Sequence, residues 1–386
     1  MILVLQKLKS GVLLLKIFVA LLFFDLGLIC FFFFQKEKNI KLWIILAVIL
    51  VIVESIIFWL GIIKIYVHSR QVSISVKMVG MICGWIPIVN LIILIKMIGI
   101  CSKEIRFEEF VIERDNRRKD RQICKTKYPI LLVHGVFFRD SNHFNYWGRI
   151  PASLEKNGAS IYYGEHNSAS SVEYAADELA DKIKRIVRDT GCKKVNIIAH
   201  SKGGLDSRRM IFDNPCLVAS LTTINTPHRG CEFADYLFSK VSKEQKQFLA
   251  DKYNFLAEKF GDVNPDFLSA VKDLTSSECR IMNDKIFNKS GVYYQSVGSV
   301  LHKATSGRFP LNLTYHFVKF FDGENDGLVG ADSFQWGDDF TLIRNEKTLR
   351  GISHADVIDL NRENIDGFDV REFYVQLVAG LRRKGF

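Results

Sequence analysis

The chain divides by its pattern of apolar and polar positions into an apolar N-terminal part and a longer part of alternating character. Residues 11–34, 42–67 and 78–101 are nearly unbroken apolar runs. A bilayer core of about 30 Å takes roughly 20 helical residues to cross, and each run reaches that length. The pattern therefore predicts about three transmembrane helices within residues 1–102. A cleaved signal peptide would carry an apolar stretch about half as long, with no further runs behind it. Two acids, Asp25 and Glu54, fall inside the first and second runs, where a charge is costly and normally faces protein or water. The third run contains Gly80, Gly84, Pro87, Asn90 and Gly99, which suit a kinked or re-entrant segment.

Residues 103–126 change to a charged connector. Glu104, Glu108, Glu109 and Glu113 precede a basic cluster from Arg114 to Arg121, a spacing that suits an exposed helix. Residues 127–386 then alternate short apolar runs with amphipathic stretches. Strands are expected at 128–133, 159–163, 194–199 and 217–224. Helices are expected at 146–157, at 171–189 with Tyr174, Leu179, Ile183 and Ile186 near one face, and from 202 to about Phe212. Gly158 and Gly191 read as helix stops. Such an order predicts an α/β fold, with a mostly parallel sheet and helices on both faces. Residues 232–289 look helical throughout, with Pro265 their single proline, and read as a cap or lid. Residues 317–321 read as a late strand ahead of an acidic turn.

Charge changes the picture only locally. Residues 1–102 carry ten basic and three acidic residues, whereas the whole chain has a net charge of +10. The excess flanks the apolar runs and suits anionic headgroups; nothing points to nucleic acid. With three spans, Lys36, Lys38, Lys41 and the basic residues from Lys103 to Arg121 share one side, so the C-terminal domain is expected in the cytoplasm of a cell-membrane protein. An even number of spans removes that count. The eight cysteines form no CxxC pair and no spacing typical of disulfide frameworks or zinc sites.

Ala199-His200-Ser201-Lys202-Gly203-Gly204 falls between an expected strand and an expected helix. Small residues two before and two after a serine permit the tight turn that lifts its hydroxyl to the sheet edge, beside a helix N-terminus. A serine needs a base and the base an orienting acid. Asp322-Gly323-Glu324-Asn325-Asp326-Gly327 offers the acid: Asp326 by preference, with Asp322 and Glu324 as rivals. His354, in Gly351-Ile352-Ser353-His354-Ala355-Asp356, is the histidine beyond that turn. The expected triad is Ser201, Asp326 and His354. The backbone N–H groups of Lys202 and Val136, the latter in His134-Gly135-Val136-Phe137, are the expected oxyanion donors. His228 precedes the acidic turn and is read as structural.

With Pro129-Ile130-Leu131-Leu132-Val133-His134-Gly135, Asn145-Tyr146-Trp147, Ile224-Asn225-Thr226-Pro227-His228-Arg229-Gly230 and Asn325-Asp326-Gly327-Leu328-Val329, these motifs resemble the secreted bacterial triacylglycerol lipases of the α/β-hydrolase fold. The resemblance runs from about Tyr128 to the C-terminus. It implies an acyl-serine ester hydrolase acting on lipid or ester substrates, with Ser201, Asp326 and His354 as nucleophile, acid and base. It implies no organic cofactor. It also implies a calcium ion near the histidine loop, where Asp356 matches one ligand; residues 285–321, however, contain no acid to supply a second. The apolar N-terminal runs depart from an exported enzyme. Readings that stay open are a thioesterase, acyltransferase or peptidase on the same triad, and an inactive membrane scaffold.

Overall fold

The computed structural model describes residues 2–35, 40–136 and 145–386. Lys36 and Lys38 of the charge count and Phe137 of the oxyanion motif lie outside the described residues. The chain forms two compact units, Met1–Arg117 and Arg118–Phe386.

The first unit is helical. Helices α1 (Ile2–Gln35) and α2 (Ile40–His68) contain the first two apolar runs, and both are long and apolar enough to cross a membrane. They pack through small residues. A Cβ on Gly11 would lie 2.8 Å from the Lys64 Cβ, and one on Gly61 would lie 2.7 Å from the Leu15 side chain, so glycine lets the two backbones approach. The opposite faces expose Phe23, Phe24, Ile44, Ile52 and Trp59, an arrangement suited to lipid rather than water.

The third run is a correction to the expected three spans. It is cut into α3 (Ile74–Ile82) and α4 (Pro87–Arg118), so among the described residues two helices, not about three, pass the test of length and apolarity. Pro87 has no N–H to donate, so it starts a helix rather than continuing one. The Asn90 side chain donates to the Gly84 carbonyl at 3.0 Å across the break. The connector is likewise less exposed than expected, because α4 runs through most of it. Glu104 is buried and accepts from Ser69 Oγ at 2.6 Å and from the Arg70 N–H at 3.0 Å.

The second unit is a six-stranded, wholly parallel sheet with helices on both faces. In chain order its elements are β1 (Ile130–Val133), α5 (Ile150–Lys156), β2 (Ile161–Tyr163), α6 (Val172–Thr190), β3 (Val195–His200), α7 (Lys202–Asp213) and β4 (Val218–Ile224). The cap follows as α8 (Glu232–Lys240), α9 (Lys243–Lys259), α10 (Phe267–Lys272) and α11 (Ser276–Lys285). The chain closes with β5 (Tyr293–Ser299), α12 (Leu311–Asp322), β6 (Asp339–Ile343) and α13 (Val370–Arg383). The strand order is β2-β1-β3-β4-β5-β6.

Strands β1, β3 and β4 are buried at every position, as expected where helices cover both faces. Successive side chains point to opposite faces. Ile130, Leu132, Ile198 and Ile224 pack with Trp147, Leu154, Tyr374 and Val378 around α5 and α13. Leu131, Val133, Ile197 and Ala199 pack with Leu179, Ile183, Ile186 and Met210 around α6 and α7. Tyr174, expected near the buried face of α6, is 48 % exposed; Ala175 and Ala176 are buried there instead. The expected strand at 317–321 is part of α12, whose buried residues Leu311, Tyr315 and Val318 follow the helical period.

Candidate active site

Strand β3 ends at His200 and α7 begins at Lys202, so Ser201 occupies the corner between them. Its φ of 55° is a conformation L-residues rarely adopt. Crowding around the corner explains the small neighbours. A Cβ on Gly203 would lie 2.3 Å from the His134 carbonyl oxygen, and one on Gly135 would lie 2.8 Å from the Ser201 Cβ. The N–H of Lys202 belongs to the first turn of α7, where amides have no intrahelical acceptor. The neighbouring Gly135 N–H is engaged, donating to Tyr146 Oη at 3.1 Å, while Val136 lines the cavity walls beside Ser201.

Of the three candidate acids, Asp326 meets His354. His354 Nδ1 lies 2.6 Å from Asp326 Oδ2, and the His354 backbone N–H donates to the Asp326 carbonyl at 2.9 Å. The carboxylate is fully buried; Oδ1 accepts the backbone N–H groups of Leu328 (2.9 Å) and Val329 (2.8 Å). The rivals are occupied elsewhere. Asp322 accepts the N–H groups of Glu232 (2.9 Å) and Phe233 (3.3 Å) at the start of α8, and Glu324 forms a two-pronged bond with Arg344. His228 is buried between the Trp336 ring, the Thr223 hydroxyl (2.8 Å) and Arg208 (3.3 Å). Burial, reinforced by Arg208, pushes its pKa well below the usual histidine value.

Two cavities meet at Ser201, and Val136, Thr314 and Leu328 line both. One, of about 320 Å³, is walled by cap residues including Phe233, Leu237, Leu249 and Val271. The other, of about 570 Å³, includes His354, Tyr146, Ser168 and Arg308. On the 320 Å³ side, the cap aromatics Phe233 and Phe238 join the wall, whereas Phe248 and Phe255 are exposed.

A buried polar cluster lies beneath the corner. Lys202 Nζ meets Asp206 Oδ1 at 2.6 Å, His166 lies 3.5 Å from the other Asp206 oxygen, and His134 stacks on His166 at 4.0 Å. Burial raises the Asp206 pKa to about 6, against the opposing pull of Lys202, and lowers that of His134 to about 3. His200 bonds Tyr146 Oη through Nδ1 at 2.6 Å and lies 4.5 Å, ring to ring, from His354. Burial and then His354 push its pKa well down.

The residues around Asp356 do not fit a calcium ion. Arg350 Nη2 contacts both carboxylate oxygens, at 3.1 and 3.2 Å, and the Ser353 N–H donates to one at 3.0 Å, so a guanidinium supplies the positive charge. Among the described residues, no group of three His, Cys, Asp or Glu side chains is arranged to hold a metal. The sequence reading gave no role to Asn225, which donates to Asp326 Oδ2 at 2.5 Å, nor to Tyr146. Their motifs marked the neighbourhood, but the contacts are too distant along the chain to be read from it.

This unit has the α/β-hydrolase fold: a parallel sheet, a strained serine between a strand and a helix, and an acid–histidine pair on later loops. Its sequence relatives include triacylglycerol lipases. That of Pseudarthrobacter phenanthrenivorans is 34% identical over 170 residues, covering 41% of this chain and 53% of the relative. Triacylglycerol lipase 2 of Saccharomyces cerevisiae is 28% identical over 264 residues, covering 62% of this chain and 74% of the relative. The chain spans about half, or less, of the length of the bacterial lipases it matches. The crystal structure of Staphylococcus hyicus lipase matches in fold with a TM-score of 0.51 and 19% identity, covering 67% of this chain and 97% of that one. No family model matches the sequence.

Proposed function

We propose that the chain is a membrane-tethered serine hydrolase that cleaves carboxylic esters of acyl lipids through an acyl-serine intermediate. The observation that carries this reading is His354, held at 2.6 Å by the buried Asp326, in the wall of a cavity that Ser201 also lines. In the proposed reaction His354 takes the Ser201 proton as Oγ attacks the ester carbon. The N–H groups of Val136 and Lys202 receive the charge that develops on the carbonyl oxygen. His354 then protonates the departing alcohol, and water, activated by the same base, releases the acid. Because His354 must reach the leaving oxygen, the alcohol belongs in the chamber that His354 lines, and the acyl chain in the more apolar chamber beneath the cap.

In the same proposal α1 and α2 span the membrane and the hydrolase unit lies in the cytoplasm. With two spans, Lys7, Lys9, Arg70 and Lys77 fall on one side, against Lys36, Lys38 and Lys41 on the other. The exposed Cys216 thiol should then react with an impermeant maleimide only after cells are opened; labelling of intact cells would reverse the orientation.

The test of activity is hydrolysis of p-nitrophenyl esters of increasing chain length, with fluorophosphonate labelling, by the wild type and Ser201→Ala. Activity that grows toward longer chains and vanishes with the label in the variant is expected. Hydrolysis that survives in Ser201→Ala would end the proposal.

A further inference from the structure

We propose that Asn225 is a positioning residue of the triad: its side-chain amide fixes the orientation of the Asp326 carboxylate toward His354. This inference rests on the serine-hydrolase reading above. The Asp326 carboxylate is buried and, among the described residues, receives four hydrogen bonds. Two backbone amides hold Oδ1, at 2.9 Å from Leu328 and 2.8 Å from Val329. Those two bonds leave the carboxylate free to swing about Oδ1. Oδ2, the oxygen that meets His354 at 2.6 Å, has one further donor, Asn225 Nδ2 at 2.5 Å. A carboxylate accepts and does not donate, so it is the nitrogen of the amide that faces it.

Asn225 is itself held at the carboxyl ends of two strands. It follows β4 directly; its backbone N–H donates to the Val297 carbonyl of β5 at 2.8 Å, and Nδ2 also donates to Ser299 Oγ at 2.8 Å. The amide thus ties the acid turn to the rigid edge of the sheet. Its φ of 47° is in the left-handed region, which asparagine tolerates better than most residues. Glycine would meet that backbone requirement without a side chain. The Asn225 amide oxygen is buried with no hydrogen-bond partner among the described residues, an arrangement that costs stability. The residue is therefore poorly explained by stability or by backbone shape alone, and well explained by the contact its donor makes with Asp326.

Asn225→Gly keeps the positive φ and removes the donor. In the full chain in detergent micelles, kcat on a soluble p-nitrophenyl ester should fall on the order of 10- to 100-fold. KM should stay within about twofold, because no substrate contact is lost. Asn225→Asp, which keeps the shape but sets a second carboxyl against Asp326, should lose more activity and carries the test if the glycine variant does not fold. Wild-type kcat in either folded variant, with Ser201→Ala inactive, would overturn the positioning role alone. Activity in Ser201→Ala would overturn the hydrolase reading and this inference with it.

Discussion

The Lys202–Asp206 pair offers a quantitative test of how the ground beneath the nucleophile is held. Both side chains are 1% exposed and meet at 2.6 Å. Replacing Asp206 with alanine leaves a buried ammonium without its counter-charge, which costs about 3–5 kcal/mol. The pair is nevertheless not a net source of stability. The Asp206 pKa rises from 3.8 to about 6, roughly two units at about 1.4 kcal/mol each, so keeping Asp206 ionised at neutral pH costs on the order of 3 kcal/mol even with Lys202 present. Removing both charges at once, as Lys202→Met with Asp206→Leu, should therefore be far milder than removing one. A domain of this size loses roughly 2–4 °C of melting temperature per kcal/mol. Thermal unfolding should show Asp206→Ala lowered by about 6–20 °C and the double variant within a few degrees of wild type. Equal damage in the single and double variants, or none in Asp206→Ala, would refute the reasoning.

Three further outcomes are expected. Acidification should destabilise the fold steeply from about pH 6.5 downward, because His134, with its pKa lowered to about 3, and His200 and His228, held well below the usual histidine value by burial, stay neutral in the fold while they charge in the unfolded chain. Each contributes about 1.4 kcal/mol per pH unit below 6.5, and Asp206 opposes with a similar slope between about pH 6 and 4, so a melting temperature unchanged down to pH 4 would contradict a neutral-histidine core. Val271→Phe narrows the chamber assigned to the acyl chain and should depress hydrolysis of long-chain esters at least tenfold relative to short ones; an unaltered chain-length profile would reassign that chamber. Chelation with EDTA should leave activity and melting temperature unchanged, since Arg350 neutralises Asp356; a loss restored by calcium would show that an ion acts there.

How much of this was legible in the sequence depended on burial. The strands β1, β3 and β4 are apolar runs between turn residues because both their faces are covered, and they were readable. β5 carries Gln295, Ser296 and Ser299 among its apolar residues, and β6 is a partly exposed edge, so neither stood out. Residues 317–321 misled because five residues of mostly aromatic character fit either period; the wider spacing Leu311, Tyr315, Val318 marks the helix. In the third apolar run, hydropathy registered length while Pro87 decided continuity. Near the site, sequence preferred Asp326 but kept Asp322 and Glu324 as rivals, since all three fit an acidic turn. Only three-dimensional proximity separates the acid beside His354 from the one capping α8. Asn225 was illegible for a similar reason: its partner Asp326 is 101 residues away in the chain.

The cap leaves the sheet after β4 and returns into β5, and those two strands are direct neighbours, paired from Ser220↔Tyr293 to Ile224↔Val297. An excursion that departs and re-enters at adjacent strands can be lengthened, shortened or exchanged without altering strand order or register. One of its anchors to the body is residues 262–266, through Asn167 on Val263, Ser168 on Asp262 and the Ala169 carbonyl on Asp266. The fold thereby separates two evolutionary problems. Substitutions in the excursion can reshape the wall of the 320 Å³ chamber, while the corner that carries Ser201 is held by packing of its own. Grafting a foreign excursion between Cys231 and Val292, which leaves Asn225 in place and retains that anchoring segment, is accordingly the most economical route to redirecting this scaffold.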